Sequence, residues 1–212
     1  MKILAIYGST HQDGNSRALA HLIGDSALQS GAEVIYFDVL HKELPLFRTD
    51  RDFKDEPVVH ELRSLATEVD GFIVVSPEYH GCMSNAIKNF FDFHYQQFAG
   101  KAFAIATATG GSMGVSCNSQ MRVAIQHCHG WALPYQVGVK SSEFTDGEVT
   151  SAKCRDRLVK LGRDLVVYGQ LLQTQFKADQ ALARASVSGQ LSQAGSSGQD
   201  DAVNRGFAEW YV

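Results

Sequence analysis

Residues 71–84 read Gly71-Phe72-Ile73-Val74-Val75-Ser76-Pro77-Glu78-Tyr79-His80-Gly81-Cys82-Met83-Ser84. The first part is a short apolar run without polar alternation, built from β-branched and aromatic residues. Such a run is a strand covered on both faces, the condition of a parallel sheet between two layers of helix. The small and turn-forming residues after it lead into Met83, Ile87, Phe90 and Phe91, whose spacing is that of a helix stripe. A strand, a loop and a helix therefore follow one another here.

Outward from this stretch the same unit repeats. Apolar runs recur at 3–6, 34–37, 102–106 and 135–139. Helical stripes lie between and after them: Leu19, Leu22 and Ile23; Val58, Leu62, Leu65 and Val69; Met121, Ala124, Ile125 and Cys128, with Gly130 as the expected C-cap; and Leu158, Leu161, Leu165, Tyr168 and Leu172. Five strand–helix units with short connections imply right-handed crossovers. The expected fold class is α/β, a doubly wound five-stranded parallel sheet in the order 2-1-3-4-5 with helices on both faces.

Composition narrows the function. A chain of 212 residues with 44% hydrophobic and 20% charged residues buries a core without staples. A net charge of −4 and the lack of Lys/Arg runs argue against nucleic acid or an anionic membrane surface as partner. The apolar runs fall short of the ~20 residues of a membrane-spanning helix. The first residues lack the longer apolar stretch of a signal peptide, so cytoplasmic residence is expected. Cys82, Cys117, Cys128 and Cys154 are scattered without a C-x-x-C, which reads as ordinary thiols rather than a disulfide framework or a metal site. His127, Cys128 and His129 are adjacent on a helix and point in different directions, so they share no metal.

The expected domain spans 1–180. Residues 181–212 read as a tail: Ser, Gly and Gln supply twelve of the twenty-seven residues from 186 on, and the end carries Phe207, Trp210, Tyr211 and Val212. Low hydrophobicity makes 186–201 a mobile segment by expectation, with the aromatic end either docked in a groove or frayed.

In an open α/β sheet, ligands sit beyond the carboxyl ends of the strands. Three unusual loops fall on that rim. The first runs Gly8-Ser9-Thr10-His11-Gln12-Asp13-Gly14-Asn15-Ser16 and leads straight into a helix, whose free amides suit an anion, with Ser9, Asn15 and Ser16 as further donors. It reads equally as a turn capped by Asn15 or Ser16. Its spacing fits neither the triphosphate loop nor the dinucleotide fingerprint, which leaves a mononucleotide monophosphate. The second loop is 76–84, where Pro77 and Gly81 fix a bend and Tyr79 offers an aromatic wall; a tight connection with the ring packed inward is the alternative. The third, 107–114, offers Thr107, Thr109, Gly110 and Gly111 for close backbone approach, or is a plain surface loop.

The trio resembles the NADPH-dependent FMN reductase family of flavodoxin-like proteins, over about residues 2–175. Gly8, Ser9, Gly14 and Ser16 match its first motif; Ser76, Pro77, Glu78, Tyr79, Gly81, Lys88, Asn89 and Asp92 match its second. His11 stands where the family has arginine, His80 replaces asparagine, Cys82 serine and Ser84 proline. The resemblance implies FMN, with Ser9, His11, Asn15 and Ser16 around its phosphate. Pro77, Glu78, Tyr79, His80 and Gly81 would line the ring, and Thr107, Thr109, Gly110 and Gly111 its other edge. It further implies NADPH or NADH as co-substrate and a ping-pong exchange with a flavin, quinone, azo compound or similar small acceptor. No side chain is needed as acid or nucleophile. A homodimer or homotetramer is implied, with Met83, Phe90, Phe91 and Phe93 as interface candidates. Because histidine lacks a bidentate fork, backbone amides are expected to carry most of the phosphate grip, with Arg17 a solvated surface residue. The rival readings are a flavodoxin-type electron carrier and an FMN-binding regulator.

Overall fold

The computed structural model describes residues 1–12 and 14–193. The apolar runs are strands. β1 (Lys2–Tyr7), β2 (Glu33–Asp38), β3 (Gly71–Tyr79) and β5 (Ala102–Thr109) lie parallel in the order β2-β1-β3-β5, and β4 (Cys82–Met83) folds back antiparallel on the end of β3. The helices are α1 (Asn15–Gln29), α2 (Pro57–Glu68), α3 (Asn85–Asp92), α4 (Val115–His127) and α5 (Ala152–Gln193). This is the flavodoxin-like, doubly wound arrangement. Among the described residues no helix is long and apolar enough to cross a membrane.

The last sheet position is filled in two pieces. Both β6 (Trp131–Ala132) and β7 (Val137–Lys140) pair parallel to β5, at Ala102↔Trp131 and again at Ala106↔Val137. Four residues, 133–136, therefore face the two residues Ala104 and Ile105. Pro134 in that insert has no N–H to give to a ladder, so the pairing breaks there and resumes beyond it. A small hairpin of β8 (Phe144–Thr145) and β9 (Glu148–Val149) follows before α5.

Alternation along each strand divides the core. Ile3, Ala5, Ile73, Val75, Ala104 and Ala106 face α1 and α5. Leu4, Ile6, Phe72, Val74, Phe103 and Ile105 face the helices of the other layer, where Leu62, Phe90, Met121 and Ile125 meet them. Phe72 and Phe103 stack at 4.6 Å across neighbouring strands. Alanines on the α1/α5 side let those helices come close. A Cβ on Gly162 would lie 2.2 Å from the Ile23 carbonyl, and Ser26 Oγ donates to the Val159 carbonyl at 2.6 Å.

Several local expectations shift. Met83 belongs to β4, not to the helix that follows. The C-cap of α4 is Cys128, two residues before Gly130: the Gly130 N–H returns to Ile125 O (2.9 Å) and the His129 N–H to Gln126 O (3.1 Å), with His129 in the left-handed region at φ 60°. That is a Schellman close with histidine in the position usually held by glycine. Gly130 is needed instead for space, since a Cβ there would meet Ile125 and Phe103 at 2.8 Å. Tyr168 of the fifth stripe is half exposed. The α5 backbone continues through residue 180, the expected domain boundary, to Gln193. Phe207, Trp210, Tyr211 and Val212 lie outside the described residues.

Candidate functional site

The three loops meet at the carboxyl edge. β1 stops at Tyr7, and the Gly8 N–H reaches across to Val75 O (2.9 Å) on β3. The chain then turns tightly. Ser9 Oγ accepts from the His11 N–H at 3.2 Å, and the Gly14 N–H donates to His11 O at 3.0 Å. A Cβ at Gly14 would sit 2.0 Å from Ser9 Oγ, so only glycine fits this turn.

α1 begins with Gly14 in the N-cap position, and among the described residues no side chain caps it. The capped-turn reading therefore does not describe this helix: neither Asn15 nor Ser16 satisfies its first amides. Ser16 Oγ is itself buried without a hydrogen-bond partner, a costly state for a hydroxyl unless something fills it. His11 lies exposed on the loop. Arg17 is not a lone solvated side chain. Its guanidinium pairs with Asp38 at the end of β2 and lies 5.5 Å from the centre of the Tyr7 ring. Burial, with the Asp38 carboxylate beside it, pushes the Tyr7 phenol up to about 12. With Arg17 so engaged, the positive field of this loop comes from the helix amides.

The second loop is a hairpin rather than a bend at Pro77. β3 runs through Pro77, paired opposite Ala108, as far as Tyr79. His80 and Gly81 then take φ of 54° and 77°, and Tyr79↔Cys82 closes the turn. Positive φ at both central residues is the type I′ hairpin, in which histidine, like asparagine, is tolerated ahead of glycine. Tyr79 is 53% exposed on the rim rather than packed inward. Gln120 Nε2 donates to Gly81 O at 3.3 Å and holds the turn against α4.

In the third loop Thr107 and Thr109 are buried at the end of β5. Thr109 Oγ1 donates to Ser112 O (2.7 Å), and Ser141 Oγ donates to Thr109 O (3.0 Å). Thr107 Oγ1 makes no conventional hydrogen bond; the Cys117 thiol, raised by burial, lies beside it and Ser76. A side chain at Gly110 or Gly111 would meet nothing within 4 Å, so these two positions face open space.

The loops are tied to one another. Ser112 Oγ donates to Glu78 Oε2 at 2.6 Å, joining the third to the second. Ser84 Oγ donates to Gly8 O at 3.1 Å, joining the second to the first. The structure thus brings Ser9, His11, Asn15 and Ser16 to one rim with 77–81 and 107–111. Ser84, Ser112, Gln120 and Ser141 escaped the sequence reading. Only Ser84 carried a local signal, a serine immediately before a helical stripe, as expected of an N-cap. The others act through contacts distant in sequence. Of the interface candidates, Phe90, Phe91 and Phe93 are buried within the chain, and Met83 lines a groove of about 710 Å³ between α3 and α4 with exposed Val123.

Residues 1–143 match the family model described as NADPH-dependent FMN reductase. The NADPH azoreductase of Bacillus sp. (strain OY1-2) is 32% identical over 151 residues, 70% of this chain and 82% of the relative. The NADPH-dependent FMN reductase ArsH of Rhizobium meliloti (strain 1021) is 31% identical over 176 residues, 79% of this chain and 71% of the relative. Among solved structures, the apo form of NADH:FMN oxidoreductase (EMOB) superposes with TM-score 0.68 at 20% identity, covering 79% of this chain and 89% of its own. The FerB flavoenzyme NAD(P)H:(acceptor) oxidoreductase of Paracoccus denitrificans gives 0.67 at 17% identity, with 80% and 97% covered; at these identities the two structures speak for the fold. With three loops gathered on the rim of a flavodoxin-like sheet and two thirds of its length matched, the chain belongs to the NADPH-dependent FMN reductase family, oxidoreductases that work with FMN and NAD(P)H.

Proposed function

We propose that this chain is an NAD(P)H-driven reductase of flat conjugated acceptors such as azo compounds, quinones or free flavins, with FMN seated in the three-loop cradle. The observation that carries this reading is a buried hydroxyl left open where such a cofactor would sit, Ser16 Oγ in the first turn of α1, together with Thr107 Oγ1 at the end of β5, whose one polar neighbour among the described residues is the Cys117 thiol. A phosphate accepts from both hydroxyl and helix amides, and a heterocycle edge from a threonine.

Ser9, His11, Asn15 and Ser16, together with the first α1 amides, hold the phosphate. Pro77, Glu78, Tyr79, His80 and Gly81 line one side of the ring, and Thr107, Thr109, Gly110 and Gly111 close its other edge. Bound FMN supplies the hydride chemistry. The protein contributes position: the Glu78–Ser112 bond fixes the distance between the two ring loops, and glycines 110 and 111 leave the approach clear. No side chain acts as acid or nucleophile. Donor and acceptor use the one opening beside Tyr79 in turn, a ping-pong order.

Subunit pairing across the α3–α4 groove, through Met83 and Val123, gives a homodimer as the basic unit. The four cysteines are unpaired thiols, in keeping with a cytoplasmic enzyme. The test is anaerobic titration of the FMN-loaded protein with NADPH, followed by steady-state rates with an azo dye and a quinone. Bleaching of the visible bands and parallel double-reciprocal lines support the reading. Intersecting lines overturn the shared opening, and failure to bleach overturns the activity.

A further inference from the structure

Ser84 makes three connections from one buried position, 1% exposed. Its hydroxyl donates to Gly8 O (3.1 Å) and accepts from the Ile87 N–H (3.4 Å), capping α3. Its own N–H donates to Ser76 Oγ (2.9 Å). A Cβ at Gly8 would lie 2.4 Å from Ser84 Oγ, so glycine is what permits the contact. A proline here would have neither hydroxyl nor N–H and would make none of these three bonds.

The bond to Gly8 has a directional consequence. The described chain contains no cis peptide, and in a trans peptide the C=O and the following N–H point in opposite directions. Holding the Gly8 carbonyl towards Ser84 therefore turns the Ser9 N–H the other way. This sets the first amide of a loop whose only guanidinium, on Arg17, is committed to Asp38.

We propose that Ser84 is a positioning residue for the phosphate of the flavin: it fixes the Gly8–Ser9 peptide so that the loop presents its amides to an anion, without touching the cofactor itself. The proposal rests on the FMN reading above and deepens it. A residue acting through the phosphate loop affects FMN and leaves riboflavin, which lacks the phosphate, largely untouched.

The experiment measures dissociation constants of FMN and riboflavin for the wild type, Ser84→Ala and Ser84→Cys. Cysteine fills the same space while donating poorly, so it keeps the test intact should alanine fail to fold. The expected result is a roughly tenfold loss in the FMN-to-riboflavin affinity ratio in either variant, with a shifted 31P resonance of bound FMN. A ratio equal to the wild type's, whether both affinities fall together or neither changes, overturns the role of Ser84. Failure of the wild type to bind FMN at all overturns the underlying reading instead.

Discussion

The two edges of the sheet use buried polar groups in different ways. At the amino edge they brace the fold: the Lys2 N–H donates to Asp70 (2.9 Å), Lys101 Nζ closes the end of α2 on Ala66 O and Thr67 O (2.6 and 3.0 Å), and Gln173 Nε2 holds Gly100 O (3.3 Å). At the carboxyl edge, Ser16 Oγ, Thr107 Oγ1 and Asn118 Oδ1 are buried with no hydrogen-bond partner, although the loops around them are well tied. An unmade buried hydrogen bond costs about 1–3 kcal/mol; among the described residues the amino edge carries one such atom, His94 Nε2, against these three at the carboxyl edge. The excess of open groups at the carboxyl edge supports the cofactor seat proposed there.

This contrast can be broken by experiment. The largest effect belongs to the amino edge. His94, packed against Phe90 and Phe98 with Nδ1 2.7 Å from Phe90 O, has its pKa lowered by burial to about 4. The unfolded chain takes up that proton near 6.5, so stability rises with pH across the window and is lost as pH falls from 6.5 towards 4. Between pH 7.5 and 5 the wild type should lose about 2 kcal/mol more than His94→Leu, read as urea midpoints. Equal losses would remove His94 from the account.

Next come the open hydroxyls. Ser16→Ala and Thr107→Val should each weaken FMN about tenfold, ~1.4 kcal/mol, while the cofactor-free protein melts at the same temperature or slightly higher. A drop in its melting temperature would mean these groups serve the fold after all. Gln173→Leu is the mirror case: about 1 kcal/mol less stable for want of a partner on Gly100 O, with FMN affinity within twofold of wild type. The smallest effect is expected of His11→Ala, a two- to threefold weakening of FMN, because amides and hydroxyls share the phosphate. Complete loss of FMN would return the grip to the side chain.

Much of this was legible from residue patterns. The unbroken apolar runs located β1, β2, β3, β5 and most of β7, and the stripes Leu19/Ile23 and Leu158/Leu161/Leu165 found the helices that pack on their alanine-rich face. The rim loops could be placed together because parallel topology forces consecutive strand ends to the same side. What escaped has particular causes. Pro77 looked like the end of a strand, yet at the strand's end it needs no full ladder, and the turn waits for His80-Gly81. Asp146-Gly147, at φ 49° and 79°, carried an equally plain hairpin signal that the longer helical stripe beyond it obscured. The Ser84–Gly8 bond spans 76 positions and the Arg17–Asp38 pair 21, and no local pattern encodes a contact that only the assembled sheet brings about.

On the reading proposed above, the carboxyl edge receives a flavin through its phosphate. Titrating FMN and riboflavin separately into cofactor-free protein, with flavin fluorescence as the signal, tests it most directly. One FMN per chain should bind saturably and at least tenfold more tightly than riboflavin; equal affinities, or no quenching of FMN at saturating protein, would contradict it.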